Sequence, residues 1–280
     1  MLHGFTQSGA LFRAKTRFLE TSLRKAFPAN HASNAQYPAG VELVYPTAPH
    51  RLRIADVTAA FSGPVALPGP AHHHHLGAGD EEEDDSDLWA WSRKDEQTGE
   101  YVGVEASFDY LAEVLRTQGP FAGVIGFSQV AAMAAMLASL LEGAPRVSSF
   151  SAHQSSGGIA FPASIHALRH PPFKFAVAYS GFFPTDPRYA ACFEPQIDTP
   201  VLHVLGSLDG VVSEQRSLRL VKACVGGDER VVYHPGGHFV PGAKPYVGAL
   251  VGFVRETLRG QDKESGRAEA KGELAGEPRL

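Results

Sequence analysis

The chain has 280 residues, 44% of them hydrophobic, which suffices to bury one large core and fits a single catalytic domain of α/β type. Its 30 acidic and 25 basic side chains leave a formal charge of -5 with no arginine-lysine block, which argues against nucleic acid as a partner. Two cysteines, Cys192 and Cys224, need no disulfide framework and fit a reducing compartment, and the longest apolar run, 130 to 141, falls short of the roughly 20 residues of a membrane span.

The start of the chain shows neither a signal peptide nor an arginine-rich presequence, so a cytoplasmic location is expected, with the nucleus also open. Met1-Leu2-His3-Gly4 reads as the end of a strand, followed by a loop and a helix over Thr16 to Phe27 with Phe18, Leu19, Leu23 and Phe27 at helical spacing. The β-prone run Val41 to Tyr45, closed by Pro46, predicts a second strand. From about Ser62 to Asp87 the chain turns to Pro, Gly, four histidines (His72 to His75) and the acidic run Asp80 to Asp85. That composition predicts a disordered surface insertion.

Ser107 to Thr117 predicts a helix, Phe121 to Gly126 a buried strand, and the Ala/Met/Leu-rich segment up to Leu141 a buried helix. Further strands are expected at Phe175 to Tyr179, Pro200 to Leu205 and Val231 to Tyr233, with helices at about Ser213 to Cys224 and Tyr246 to Leu258. This alternation implies a mostly parallel sheet with helices on both faces. A domain over 1–259 and a disordered charged tail over 260–280 complete the expected organisation.

Gly126-Phe127-Ser128-Gln129-Val130 falls where a parallel strand hands over to a helix, the setting of a nucleophile elbow. A serine hydroxyl needs such a turn to meet both a base and the amides that hold an oxyanion. The competing reading makes Ser128 a plain helix N-cap. Asp209 lies in a turn after the strand ending at Leu205, and His238 in the glycine-rich loop 234–241, so the chain order is Ser, Asp, His, as in α/β-hydrolases.

In that reading Ser128 is the nucleophile, His238 the base and Asp209 its orienting acid. His234 competes for the base role but is pinned between strand and proline, and His203, inside an apolar run, reads as a packed core residue. The backbone N–H groups of Phe5 and Gln129 are the expected oxyanion donors, an ordinary glycine loop at 3–9 being the bland alternative. Substrate selection is expected from the irregular stretch Arg146 to Pro172 and from Phe182 and Phe183. The histidine tract beside the acidic run lacks the supporting partners of a selective metal site, so no metal is expected.

Leu2-His3-Gly4-Phe5, Ala48-Pro49-His50, the Trp89 to Tyr110 region, Gly119 to Gln129, Phe175 to Phe182 and Gly236 to Pro241 together resemble the FSH1-type serine hydrolases of fungi and animals. That family includes the ovarian-cancer-associated gene 2 product and fungal polyketide-releasing thioesterases, and the likeness runs from residue 2 to about 258. The resemblance implies the α/β-hydrolase fold and an esterase or thioesterase acting through an acyl-enzyme on Ser128. Its substrate would be a small-molecule ester or thioester, a carrier-bound acyl chain included, and no cofactor is implied.

Two departures from the family pattern stand out. Val130 replaces the second glycine of the elbow, where a side chain is expected to cost space, and the first strand is cut to two residues. The short strand is read as a mis-set start codon. Both departures leave open a catalytically impaired member of the fold acting as a binding or scaffold module.

Overall fold

The computed structural model describes residues 1–30, 37–54, 56–57, 87–95 and 97–274, with side chains as far as 259. Residues 62–86 of the expected insertion, with its histidine and acidic runs, lie outside the described residues.

After Leu2 the chain enters two helices, α1 (Gly9–Lys15) and α2 (Arg17–Ala26). Ser8 caps α1 by accepting from the Leu11 N–H at 3.3 Å, and Thr16 separates the two. Only α2 is legible as apolar periodicity, because α1 buries just Gly9 and Phe12. The expected strand at Val41 to Tyr45 does not form. A strand requires a ladder partner, and the contact made here is from the Met1 ammonium to the Val44 carbonyl at 2.9 Å.

Two short antiparallel pairs follow, β1 (His50–Arg51) with β2 (Trp89–Ala90), and β3 (Arg93–Lys94) with β4 (Tyr101–Val102). Helix α3 (Val104–Gln118) leads into the central sheet. Its strands are β5 (Gly123–Phe127), β6 (Phe175–Tyr179), β7 (Val201–Gly206) and β8 (Val231–His234), parallel throughout and adjacent in that order. Beyond β5, Leu2 adds a single parallel bridge to Gly126. The strands read as unbroken Val, Ile, Leu, Phe and Ala runs because both faces are covered.

Helix α4 (Gln129–Leu140) is apolar all round and almost wholly buried, as a helix enclosed by a core must be. It joins α3 on one face of the sheet, while α1, α2 and α8 (Lys244–Leu274) cover the other with Phe12, Leu19, Leu250 and Phe253. Between α4 and β6 lie α5 (Ala144–Gln154) and α6 (Ala163–His166), and between β7 and β8 lies α7 (Glu214–Lys222).

Two expectations are corrected. The stretch from Arg146 to Pro172 is helical rather than irregular as far as Gln154, and again over 163–166: Phe150 is buried, and the buried Arg146 guanidinium donates to Ala191 O at 3.0 Å and Pro195 O at 2.8 Å and pairs with Glu142 at 2.8 Å. Tertiary contacts there override a serine-rich sequence with weak periodicity. The final helix runs to Leu274, past its expected end at Leu258, since the Lys, Glu, Ala and Arg of 260–274 are good helix formers extending a helix already nucleated.

Among the described residues no single helix is long and apolar enough to cross a membrane. Cys192 and Cys224 are both free and buried.

Candidate active site

The parallel sheet delivers the C-terminal ends of β5, β7 and β8 to one edge, where open α/β sheets collect their functional groups. Ser128 follows β5 directly, with φ 64° and ψ -132°, a strained backbone for a residue carrying a Cβ. Its N–H donates to Tyr179 O on β6 at 2.8 Å, which holds the turn. Ser128 occupies the N-cap position of α4, yet its side chain makes no capping bond. Instead its Oγ lies 2.7 Å from His238 Nε2.

The crowding expected at Val130 falls elsewhere. A Cβ on Gly126 would stand 2.7 Å from Val130 O and 2.8 Å from Ala131 Cα, so it is Gly126 that lets the first turn of α4 lie against β5. The Val130 side chain points into the core, only 1% exposed. It costs no space at the turn.

His238 sits in the loop after β8 with its ring 5.0 Å from that of Phe127. The loop comes in under Gly206, where a Cβ would meet Gly237 O at 2.5 Å and Gly236 O at 2.6 Å. His238 Nδ1 is 2.8 Å from Asp209 Oδ2. Asp209 Oδ1 accepts from the N–H groups of Val211 and Val212, both at 2.9 Å. Burial pushes the Asp209 carboxyl up, but the His238 imidazole and the Val212 and Val211 amides outweigh it and hold the group below its ordinary value.

An ionised Asp209 only accepts, so His238 donates from Nδ1 and leaves the Nε2 lone pair for the Ser128 hydroxyl. The arrangement can therefore draw a proton off Ser128 as its oxygen attacks a carbonyl. Beside Asp209 lies a polar recess of about 350 Å³ that includes Ser180, Ser207, Glu214 and Tyr233.

Gln129 opens α4, where an N–H has no acceptor within the helix. Phe5 lies in the turn between Gly4 and Thr6, and that turn is anchored on several sides. Trp91 Nε1 donates to His3 O at 3.0 Å, and the Thr6 N–H donates to Trp89 O at 3.0 Å. His3, fully buried, accepts from the Ala48 N–H at its Nε2 (2.9 Å), which places the ring proton on Nδ1, 2.8 Å from Gly4 O. Burial lowers the His3 pKa, against the opposing pull of Gly4 O and Asp87, and keeps the ring neutral. Ser8 Oγ donates to Asp87 at 2.6 Å.

The stretches that hold these anchors, Leu2 to Phe5, Ala48 to His50 and the region from Trp89, are among those that carry the family resemblance, but the contacts that join them are not legible in the sequence.

His234 is buried away from Ser128, accepting weakly from the Gly236 N–H (3.3 Å) and packed on Phe239 and Tyr246. His203 is a core residue of β7 whose pKa burial lowers to about 4, with a smaller push from Arg230. Phe182 lies under the Arg216 guanidinium at 4.0 Å and lines a small cavity together with Gln129 and Met133. Phe183 packs on Phe193 (4.6 Å) and does not line that cavity, and neither does any residue of 146–172. Within that stretch, α5 turns Phe150 and Arg146 inward.

A cavity of about 490 Å³ runs along the β5 edge between Met1, Val41 to Val44 and α3, and is lined by none of Ser128, Asp209 or His238. Among the described residues no cluster of three or more His, Cys, Asp or Glu could hold a metal ion.

Residues 1–250 match the family described as Serine hydrolase (FSH1). The chain is 30% identical to "Family of serine hydrolases 2" of Saccharomyces cerevisiae over 91% of its own length and 96% of that protein's. It is 31% identical to "Esterase OVCA2" of Danio rerio, over 91% of this chain and 94% of that one. The crystal structure of Arabidopsis thaliana SOBER1 aligns with a TM-score of 0.50 at 13% identity, covering 92% and 96% of the two chains, a likeness of fold alone. The architecture is the α/β-hydrolase fold.

Proposed function

This chain belongs to the FSH1 family of serine hydrolases, and we propose that it hydrolyses a carboxylic ester or thioester through an acyl-enzyme on Ser128. The observation that carries the reading is the continuous relay from Asp209 through His238 to Ser128, with successive contacts of 2.8 Å and 2.7 Å.

In this mechanism His238 Nε2 takes the Ser128 proton as Oγ attacks the substrate carbonyl carbon. The oxyanion is held by the N–H groups of Gln129 and Phe5. The imidazolium, steadied by Asp209, gives its proton to the departing alcohol or thiol, leaving an ester on Ser128. Water then attacks that ester, again through His238, releasing the acid and restoring the serine. The name of the Danio rerio relative supports an oxygen ester as the leaving bond. A thioester differs only in the leaving atom, and a carrier-bound acyl chain would be handled in the same way.

A non-catalytic scaffold role drew its support from Val130 and the short first strand. The inward packing of Val130 removes the first of these supports. Hydrolysis of p-nitrophenyl acetate and of acetyl-CoA, compared between the wild type and Ser128→Ala, tests the reading. Turnover of at least one substrate by the wild type and its loss in the variant are expected. A folded wild type that turns over neither, or an equally active Ser128→Ala, would contradict it.

A further inference from the structure

We infer that the outer edge of β5 is an acceptor site for one more parallel strand, and that its occupant is an apolar segment of about three residues joined to the Met1 amine. The backbone groups carry the inference. In a parallel ladder the N–H and C=O of one residue point toward the same neighbour, and the side alternates along the strand. Ile125 O accepts from the Leu2 N–H at 2.7 Å and the Phe127 N–H donates to Leu2 O at 3.3 Å, whereas the Ser128 N–H goes to Tyr179 O on β6. The odd-numbered residues of β5 therefore face outward. On that edge the Ile125 N–H and both backbone groups of Gly123 bond to no described residue.

The site is one strand wide. Leu2 bonds β5 on one side while the Met1 ammonium donates to Val44 O at 2.9 Å on the other, so the 41–44 segment forms the opposite wall. Both walls continue past Met1, since the cavity between them is lined by Gly123 and Val124 on one side and by Val41 and Leu43 on the other. If the Leu2 register is carried backward, the residue ahead of Met1 donates to Gly123 O and accepts from the Ile125 N–H, and the third residue ahead accepts from the Gly123 N–H. Backbone groups inside a fold need such partners. The same strand is the neighbour that Val41 to Tyr45 lacks, and it would tie down Leu2, which reaches the sheet through a single bridge.

The two faces of the site set the chemistry of the segment. Leu2 packs in the cluster that holds Leu111 and Leu115 of α3, and Met1 packs against the one that holds Leu23 and Phe27. Successive residues of a strand alternate between such faces, and both are apolar here, so every position of the segment is apolar. The ammonium itself favours a covalent join. It is buried, and burial pushes its pKa down to about 5, whereas an amide in that place carries no charge to bury.

The test compares the chain as it stands with two versions lengthened ahead of Met1, one by a start methionine and three valines, the other by a start methionine and three aspartates. Amide hydrogen exchange is read by NMR at Ile125 and Gly123, with Val124, whose N–H faces β6, as internal reference. The valine version should slow exchange at Ile125 and Gly123 at least tenfold and raise Tm by about 3 °C or more, and the aspartate version should do neither. Equal exchange in the two lengthened versions, or an Ile125 amide as slow as that of Val124 in the unextended chain, overturns the inference. Protection of the unextended chain by a free acetylated trivaline amide, with none from the joined valines, overturns the covalent occupant in favour of a separate peptide.

Discussion

Replacing Asp209 by Asn changes one atom, and the surrounding contacts dictate where that atom goes. Oδ1 of Asp209 accepts two backbone N–H groups, from Val211 and Val212, each at 2.9 Å. The Asn carbonyl oxygen keeps those bonds, since an NH2 in that place would face two donors. Its NH2 is then turned toward His238 Nδ1, at the position where Asp209 Oδ2 now stands at 2.8 Å.

A donor there forces Nδ1 to accept and puts the ring proton on Nε2, 2.7 Å from the Ser128 oxygen. The base then presents a proton where it should present a lone pair. Such a tautomer reversal in a Ser-His-Asp relay costs on the order of 10⁴ in kcat, about 5.5 kcal/mol of barrier at about 1.36 kcal/mol per tenfold. The assay is ester hydrolysis at pH 7.5, with circular dichroism to confirm the fold, which the two retained N–H bonds should preserve. A loss smaller than tenfold in folded protein would show that Asp209 does not set the tautomer of His238.

Further outcomes follow from the same geometry. Gly126→Ala drives a Cβ to 2.7 Å from Val130 O and 2.8 Å from Ala131 Cα, both backbone. It should lower stability by roughly 1–3 kcal/mol and turnover by about 10²-fold through displacement of Ser128, checked by thermal melting and kcat. Val130→Gly, which restores the family glycine, should cost about 2–4 kcal/mol in buried area and helix propensity without raising kcat. A clear gain in kcat would restore Val130 as a brake.

His203 binds its proton near 6.5 when unfolded and near 4 when folded, because burial and then Arg230 disfavour the imidazolium. Its contribution to stability is thus full above pH 6.5 and falls as the pH drops toward 4, by up to about 3 kcal/mol. Urea unfolding at pH 7 and pH 5 should show a shallower pH dependence in His203→Leu than in the wild type. Identical slopes would contradict the assignment.

The parts of the fold legible in the sequence are those whose pattern is local. Strands β5 to β8 announce themselves as short apolar runs, and Ser128, Asp209 and His238 each directly follow one or lie in the loop beyond it. Nothing in the five residues around Ser128 decides between a cap and a nucleophile, however. The decision lies in the Oγ contact with a histidine 110 residues away.

What the sequence hid is set by long-range contact. Val41 to Tyr45 has the composition of a strand, but no ladder forms without a neighbour. Arg146 reads as the start of an irregular stretch yet lies in a helix, buried on carbonyls of the 191–195 segment. Val130 reads as an intrusion into the elbow because the spacing motif says nothing of which way the side chain turns. The loop carrying Phe5 reads as a source of an oxyanion donor, but what orders it does not show in the sequence: Trp91 and Ala48, brought in from distant segments, and the neutral ring of its own His3.

The claim that Ser128 carries the acyl group is tested most directly by trapping that group. Wild-type protein is mixed with excess p-nitrophenyl acetate, quenched in acid within the first turnover, and mapped by tandem mass spectrometry. The account predicts a burst of nitrophenol equivalent to the protein present and a single acetyl group on Ser128, absent from Ser128→Ala. An acetyl group on another residue at full occupancy, or steady hydrolysis with Ser128 unmodified under every quench, would contradict it.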